Sequence, residues 1–148
     1  MTAPLHELYQ QVILDHNRHP RNVGVIEGGR RGEGNNPICG DRVTVHLRIE
    51  GDVIRDASFQ ASGCAIVMAS ASLMTESIKA RTLAEARALA ERFRQMVSTP
   101  PGSPIEDLGP LSALAGVRMF PTRTKCATLP WHALRAAADA RDDVVSTE

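Results

Sequence analysis

Leu5, Leu8, Tyr9, Val12 and Ile13 recur at helical spacing and predict an amphipathic first helix that His19-Pro20 ends. Val23 to Asn36 carries five glycines and changing charge, which predicts a loop or at most a short edge strand. The clearest segment runs from Asp41 to Glu50. There Val43, Val45, Leu47 and Ile49 alternate with Arg42, Thr44, His46, Arg48 and Glu50, the period of a half-buried strand. Gly51-Asp52 reads as a turn, and Val53 to Gln60 returns as the hairpin partner with Ala57 and Phe59 on one face. Cys64 to Ala80 is small and apolar on nearly every side, as a central buried helix is. Thr82-Leu83-Ala84-Glu85 is a capping box opening a helix whose stripe is Leu83, Leu89, Phe93, Met96 and Val97. Thr99 to Pro104 holds three prolines and a glycine and reads as a surface loop. A short helix is expected over Leu108 to Leu114, and a last one over Arg123 to Arg141, with Trp131 and Leu134 turned inward and Pro130 interrupting its hydrogen bonds. This order predicts an α+β fold, a small antiparallel sheet of about three strands with helices packed on one face.

With 148 residues the chain is expected to form one domain, residues 1 to 148. An apolar share of 43% and a charged share of 23% belong to globular chains, not disordered ones. Seventeen basic and seventeen acidic side chains cancel, so no basic field argues for nucleic acid. The longest apolar-leaning stretch, Ala61 to Met74, is short for a membrane span of about 20 residues, and Met1 to Gln10 lacks the pattern of a secretory signal. A cytoplasmic, reducing setting is therefore expected. Three cysteines, an odd number, favour metal or thiol chemistry over a disulfide framework.

In Asn36-Pro37-Ile38-Cys39-Gly40-Asp41, Asn-Pro starts a turn, and residues two apart in extended chain point the same way. Cys39 and Asp41 are thus expected to project together, in phase with the core-facing Val43 and Val45. Cys64 follows Gly63 at the start of the buried helix, where free backbone N–H groups favour a thiolate. Cys126 is expected at the front of the last helix. Three thiolates and one carboxylate make a donor set that zinc accepts in a tetrahedron, with Arg123 and Lys125 offsetting part of the negative charge. Each cysteine taken singly also reads as a small buried hydrophobe, and no CxxC pair is present.

These motifs carry a resemblance. Leu8-Tyr9, Asp15-His16, Pro20-Arg21-Asn22, Asn36 to Asp41, Gly63-Cys64-Ala65-Ile66, Ala69-Ser70-Ala71-Ser72 and Arg123-Thr124-Lys125-Cys126-Ala127 resemble the iron–sulfur cluster assembly family of IscU, SufU and the NifU N-terminal domain. The resemblance implies a SufE/NifU-like α+β fold with metal ligands Cys39, Asp41, Cys64 and Cys126. Lys125 stands where scaffold-type IscU proteins place a histidine, and the long stretch between Cys64 and Cys126 is similar to the SufU insertion. The implied activity is that of a SUF-type, zinc-dependent sulfurtransferase taking persulfide sulfur from a SufS-type cysteine desulfurase, and the flexible Asn-Pro-Ile-Cys-Gly turn makes Cys39 the expected acceptor. Arg123 and Lys125 would steer the sulfur or support the site. The alternative is an IscU-type scaffold holding iron or a transient [2Fe–2S] cluster for transfer to downstream assembly or acceptor proteins. A monomer or weak oligomer, binding neither nucleic acid nor membrane, is expected.

Overall fold

The computed structural model describes residues 5–140 and 144–146. Helix α1 (Leu5–Arg18) is followed by strands β1 (Arg30–Asn36), β2 (Asp41–Glu50) and β3 (Val53–Ser62). Helices α2 (Ala65–Ile78) and α3 (Leu83–Ser98) come next, then a 3₁₀ stretch (Gly109–Met119), helix α4 (Pro121–Ala138) and a short strand β4 (Val144–Ser146). The sheet order is β3-β2-β1-β4, with the first three strands antiparallel and β4 added parallel to β1. The expected α+β fold with a three-stranded antiparallel sheet is present, extended at one edge by β4.

The alternation in β2 does what its period requires: Val43, Val45 and Leu47 are buried against the helices. Phe59 and Ala57 join them from β3 in the register Val45↔Phe59 and Leu47↔Ala57. The capping box also forms, with Thr82 Oγ1 accepting from the Glu85 amide and the Glu85 carboxylate accepting from the Thr82 amide. The 3₁₀ stretch is longer than the Leu108 to Leu114 helix expected, and α4 begins at Pro121, two residues before Arg123. Arg141, its expected end, lies outside the described residues.

One expectation is corrected. The segment ending at Asn36, read as loop with at most a short edge strand, contains the full seven-residue β1, held between β2 and β4. Its lack of apolar alternation has a physical cause. A Cβ on Gly32 would collide with the Ala133 carbonyl and the Ala137 amide, so β1 meets α4 backbone to backbone. Glycine and alanine make that approach, and no hydrophobic side chain is needed to signal it.

Polar bonds tie α2 to its neighbours. His16 Nδ1 lies 2.7 Å from Ser72 Oγ, which also accepts from the Arg21 amide, and Asn22 Nδ2 donates to Thr75 Oγ1. The motif residues around positions 16 to 22 thus dock α1 on α2. Pro130 lies inside α4 and is buried. Its ring crowds the carbonyl four residues earlier, that of Cys126, and Ser70 Oγ donates to the adjacent carbonyl, Ala127 O, at 2.5 Å.

Replacing Gly32 with Ala is expected to force β1 off α4 and to lower unfolding free energy by about 3 kcal/mol. Urea denaturation checks this; unchanged stability would mean the seam is looser than described.

Candidate metal centre

The β1–β2 hairpin ends in the register pair Asn36↔Asp41, leaving Pro37, Ile38, Cys39 and Gly40 as its turn. The Gly40 amide donates to Asn36 O at 2.8 Å, and Gly40 has φ +73°, which a side chain would disfavour. Cys39 is therefore exposed at the tip, while Asp41, the first residue of β2, is only 1% exposed. Cys64 is the N-cap residue of α2 and half-buried. Cys126 is completely buried. Because α4 starts at Pro121, Cys126 sits in the second turn rather than at the front of the helix, which corrects its expected position. It is therefore out of reach of the helix's free N–H groups.

Asp41 ties these elements together. Its Oδ1 accepts from the Cys64 backbone N–H at 3.1 Å, and its Oδ2 lies 3.1 Å from Cys126 Sγ. The Cys64 side chain makes no cap bond, so a carboxylate from a different strand caps α2, favoured there by the helix dipole. Gly63 must be glycine for this: its φ is +146°, and a Cβ would collide with Asp41 Oδ1.

Cys39 Sγ and Cys126 Sγ lie 4.0 Å apart. With the Asp41 carboxylate, their donor atoms all fall within 4.8 Å of one another, a group able to hold a metal ion. The spacing fits zinc: two sulfurs bonded at about 2.3 Å in a tetrahedron stand about 3.8 Å apart. Sulfur and oxygen in the same tetrahedron stand about 3.5 Å apart, so the Asp41–Cys126 contact needs to open by only a few tenths of an ångström. Two thiols and a carboxylate are donors that zinc and iron both take.

Of the four ligands expected from the sequence, Cys39, Asp41 and Cys126 are brought together directly. Cys64 adjoins them through its backbone bond to Asp41, its sulfur lying outside that tightest group. Arg123 is exposed yet belongs to the site: the charge of Cys64, then a hydrogen bond to Cys126, pushes its pKa up. Lys125 is exposed, and among the described residues no hydrogen bond or ion pair links it to these groups.

Burial, with the Asp41 contact and the Cys64 charge behind it, pushes the Cys126 thiol well above its usual range. The metal-free thiol therefore keeps its proton, which an incoming ion has to displace.

The sequence places Tyr9 in a helical stripe and in the Leu8-Tyr9 motif, without a role at the site, and gives Phe120 no role. Their rings stack with centroids 6.2 Å apart, and with Ile13, Leu14 and Ile66 they line a groove of about 710 Å³ that reaches Cys64 and Arg123. Burial foremost, then the Cys64 charge, raises Tyr9 to about 12. Leu14 and Phe120 remain 54% and 42% exposed, so the mouth of the site is apolar. The signal lay in Phe120-Pro121, a large apolar residue just before a helix-starting proline, whose partner on α1 cannot be read from sequence.

Gly63→Ala is expected to displace Asp41 and weaken metal binding at least about 10-fold, as loss of ligand support does; chelator competition measures it. A raised thiol pKa stabilises the fold below the ordinary thiol value, about 8.5, and that contribution is lost as pH rises past it. Under reducing conditions the metal-free protein should therefore lose urea resistance from about pH 8 to 9.5. Cys126→Ser should flatten that dependence, and an equally steep slope in the variant would assign it to another group.

Comparison with known proteins agrees with this arrangement. The NifU-like N terminal domain model matches residues 8–127. The chain is 45% identical over 132 residues to the zinc-dependent sulfurtransferase SufU of Bacillus subtilis (strain 168), covering 89% of this chain and 90% of that protein. It is 39% identical over 135 residues to the iron–sulfur cluster assembly scaffold protein IscU of Streptococcus pyogenes serotype M1, covering 91% and 85%. A solved structure from Fervidobacterium islandicum AW-1, described as an assembly scaffold for the SUF system, superposes with TM-score 0.80 at 34% identity over 90% of this chain and 98% of that one. A fold matched along nearly its whole length, together with a family model covering all three cysteines, makes this chain a member of the NifU-like N-terminal domain family.

Proposed function

We propose that this chain is a zinc-dependent sulfur acceptor of SUF-type iron–sulfur cluster assembly. In this reading all 148 residues serve as one NifU N-terminal-like domain in the cytoplasm. Cys39, Asp41, Cys64 and Cys126 hold the metal, and a pyridoxal-phosphate cysteine desulfurase of the SufS type donates the sulfur. The observation that carries it is the unequal pair of sulfurs, one exposed on a turn and one sealed in the core, 4.0 Å apart. The name of the Bacillus subtilis relative supports the same activity.

When bound, zinc keeps its thiols deprotonated without redox chemistry of its own. Cys39, exposed on a turn that Gly40 lets bend, is the sulfur that would react. Its sulfur forms a bond to the outer sulfur of the donor persulfide as the donor's own S–S bond breaks. The donor cysteine departs as a thiolate, so no outside oxidant or reductant is consumed. Arg123, held beside the sulfurs, attracts the anionic persulfide. Asp41 and Cys126, both buried, would hold the metal. Cys64, already adjoining Asp41 through its backbone, would supply the remaining sulfur ligand.

A second reading is favoured by the scaffold names of the IscU relatives: a [2Fe–2S] cluster built on the same ligands for later transfer. Absorption after anaerobic iron and sulfide loading separates the two. A stable, transferable cluster favours the scaffold, and resistance to iron favours zinc.

Purified protein is expected to carry one equivalent of zinc and to gain the mass of a sulfur atom after incubation with a cysteine desulfurase and L-cysteine. Cys39→Ser should keep the fold and most of the metal but lose sulfur uptake and stimulation of the desulfurase. Unchanged uptake would remove Cys39 from this role.

A further inference from the structure

Asn36 is 1% exposed, and its side chain has little to repay that burial. Nδ2 lies 4.0 Å from Cys126 Sγ, and Oδ1 has no hydrogen-bond partner among the described residues. The hairpin turn does not use the carboxamide, because it is the Asn36 backbone carbonyl that accepts from Gly40. Along β1, positions 32, 34 and 36 share the buried face. Gly32 and Gly34 have no side chain to offer there; Arg30, in phase with them, reaches the far end of α4 at the Ala138 carbonyl, and Asn36 reaches the turn of α4 that carries Cys126. A buried amide whose one contact is a neutral thiol is poorly satisfied. The same amide facing a thiolate makes a charge-assisted bond.

We infer that Asn36 is a positioning residue of the metal centre, its side-chain N–H donating to the sulfur of Cys126 when that sulfur is a metal-bound thiolate. The inference rests on the metal-centre reading and adds a division of labour to it. An N–H bond draws electron density from a thiolate and lowers its nucleophilicity, as outer-shell donors tune a ligand. Among the described residues no N–H donor is placed against Cys39 Sγ, whose recorded contact is Cys126 Sγ itself. Cys126 is thereby the sulfur that stays on the metal, and Cys39 is left as the reactive one. Both sulfurs can bind an ion; Asn36, on the buried side of Cys126 from the exposed Arg123, adds to what makes them unequal toward a third.

The test uses the full wild-type chain loaded with cadmium-113, an NMR-active ion that takes thiolate ligands. One bound cadmium should move an Asn36 side-chain amide proton downfield and show scalar coupling to it through the Cys126 sulfur. Cadmium bound by Cys126 with neither effect at Asn36 overturns the inference and leaves the metal centre standing. Cadmium that does not engage the cysteines overturns the metal centre and the inference together. A variant adds a second readout: Asn36→Leu, similar in volume and without donors, should bind zinc about 10-fold more weakly in chelator competition. It should also shift iodoacetamide labelling from Cys39 toward Cys126 in peptide mass mapping, whereas Asn36→Ser, which keeps a donor, should stay nearer the wild type. Should the leucine variant fail to fold, the cadmium experiment on the unaltered chain still decides.

Discussion

The backbone contact between β1 and α4 sets the geometry on which the site depends. Gly32 lies against the Ala133 carbonyl and the Ala137 amide with no room for a Cβ. That close approach sets the far end of the β1–β2 hairpin beside the second turn of α4. Cys39 and Asp41 come from the end of the β1–β2 hairpin and Cys126 from α4, so the few ångströms between their donor atoms follow from a seam built at positions 32, 133 and 137. Interiors are close-packed and transmit strain over such distances. A bulky residue in the seam would act on the sulfurs without touching them.

The parts of this architecture that sequence disclosed are those written in apolar periodicity or in capping chemistry. The β2–β3 hairpin, the buried α2 and the capped start of α3 all follow from local patterns that the structure keeps. Strand β1 was hidden because its stabilising contact is made by absent side chains, and periodicity counts side chains that are present. The site was legible as residue types in motifs, while their inequality was not. The exposure of Cys39 depends on a four-residue turn, and the burial of Cys126 depends on where α4 begins, five residues earlier at Pro121. Asn36 read as a turn-starting residue, and its contact with Cys126 joins positions 90 residues apart.

The serines of α2 are paired across the core, unlike the Asn36 carboxamide oxygen. Ser72 serves both His16 and the Arg21 amide, and Ser70 serves the carbonyl of Ala127 beside the Pro130 break. The seryl positions that interrupt the apolar run of α2 are thus connectors, one to α1 and one to α4. Through the first, the helix bearing Tyr9 is held against α2.

The two oxygens of Asp41 are already divided, one held by the amide that opens α2 and the other turned toward Cys126. An ion seated here can take only the second oxygen without uncapping a buried helix. Large, hard cations such as calcium prefer six to eight oxygens and often grip a carboxylate by both. Small four-coordinate ions ask for one. In the proposed site, a helix terminus as well as sulfur would thus disfavour alkaline-earth ions.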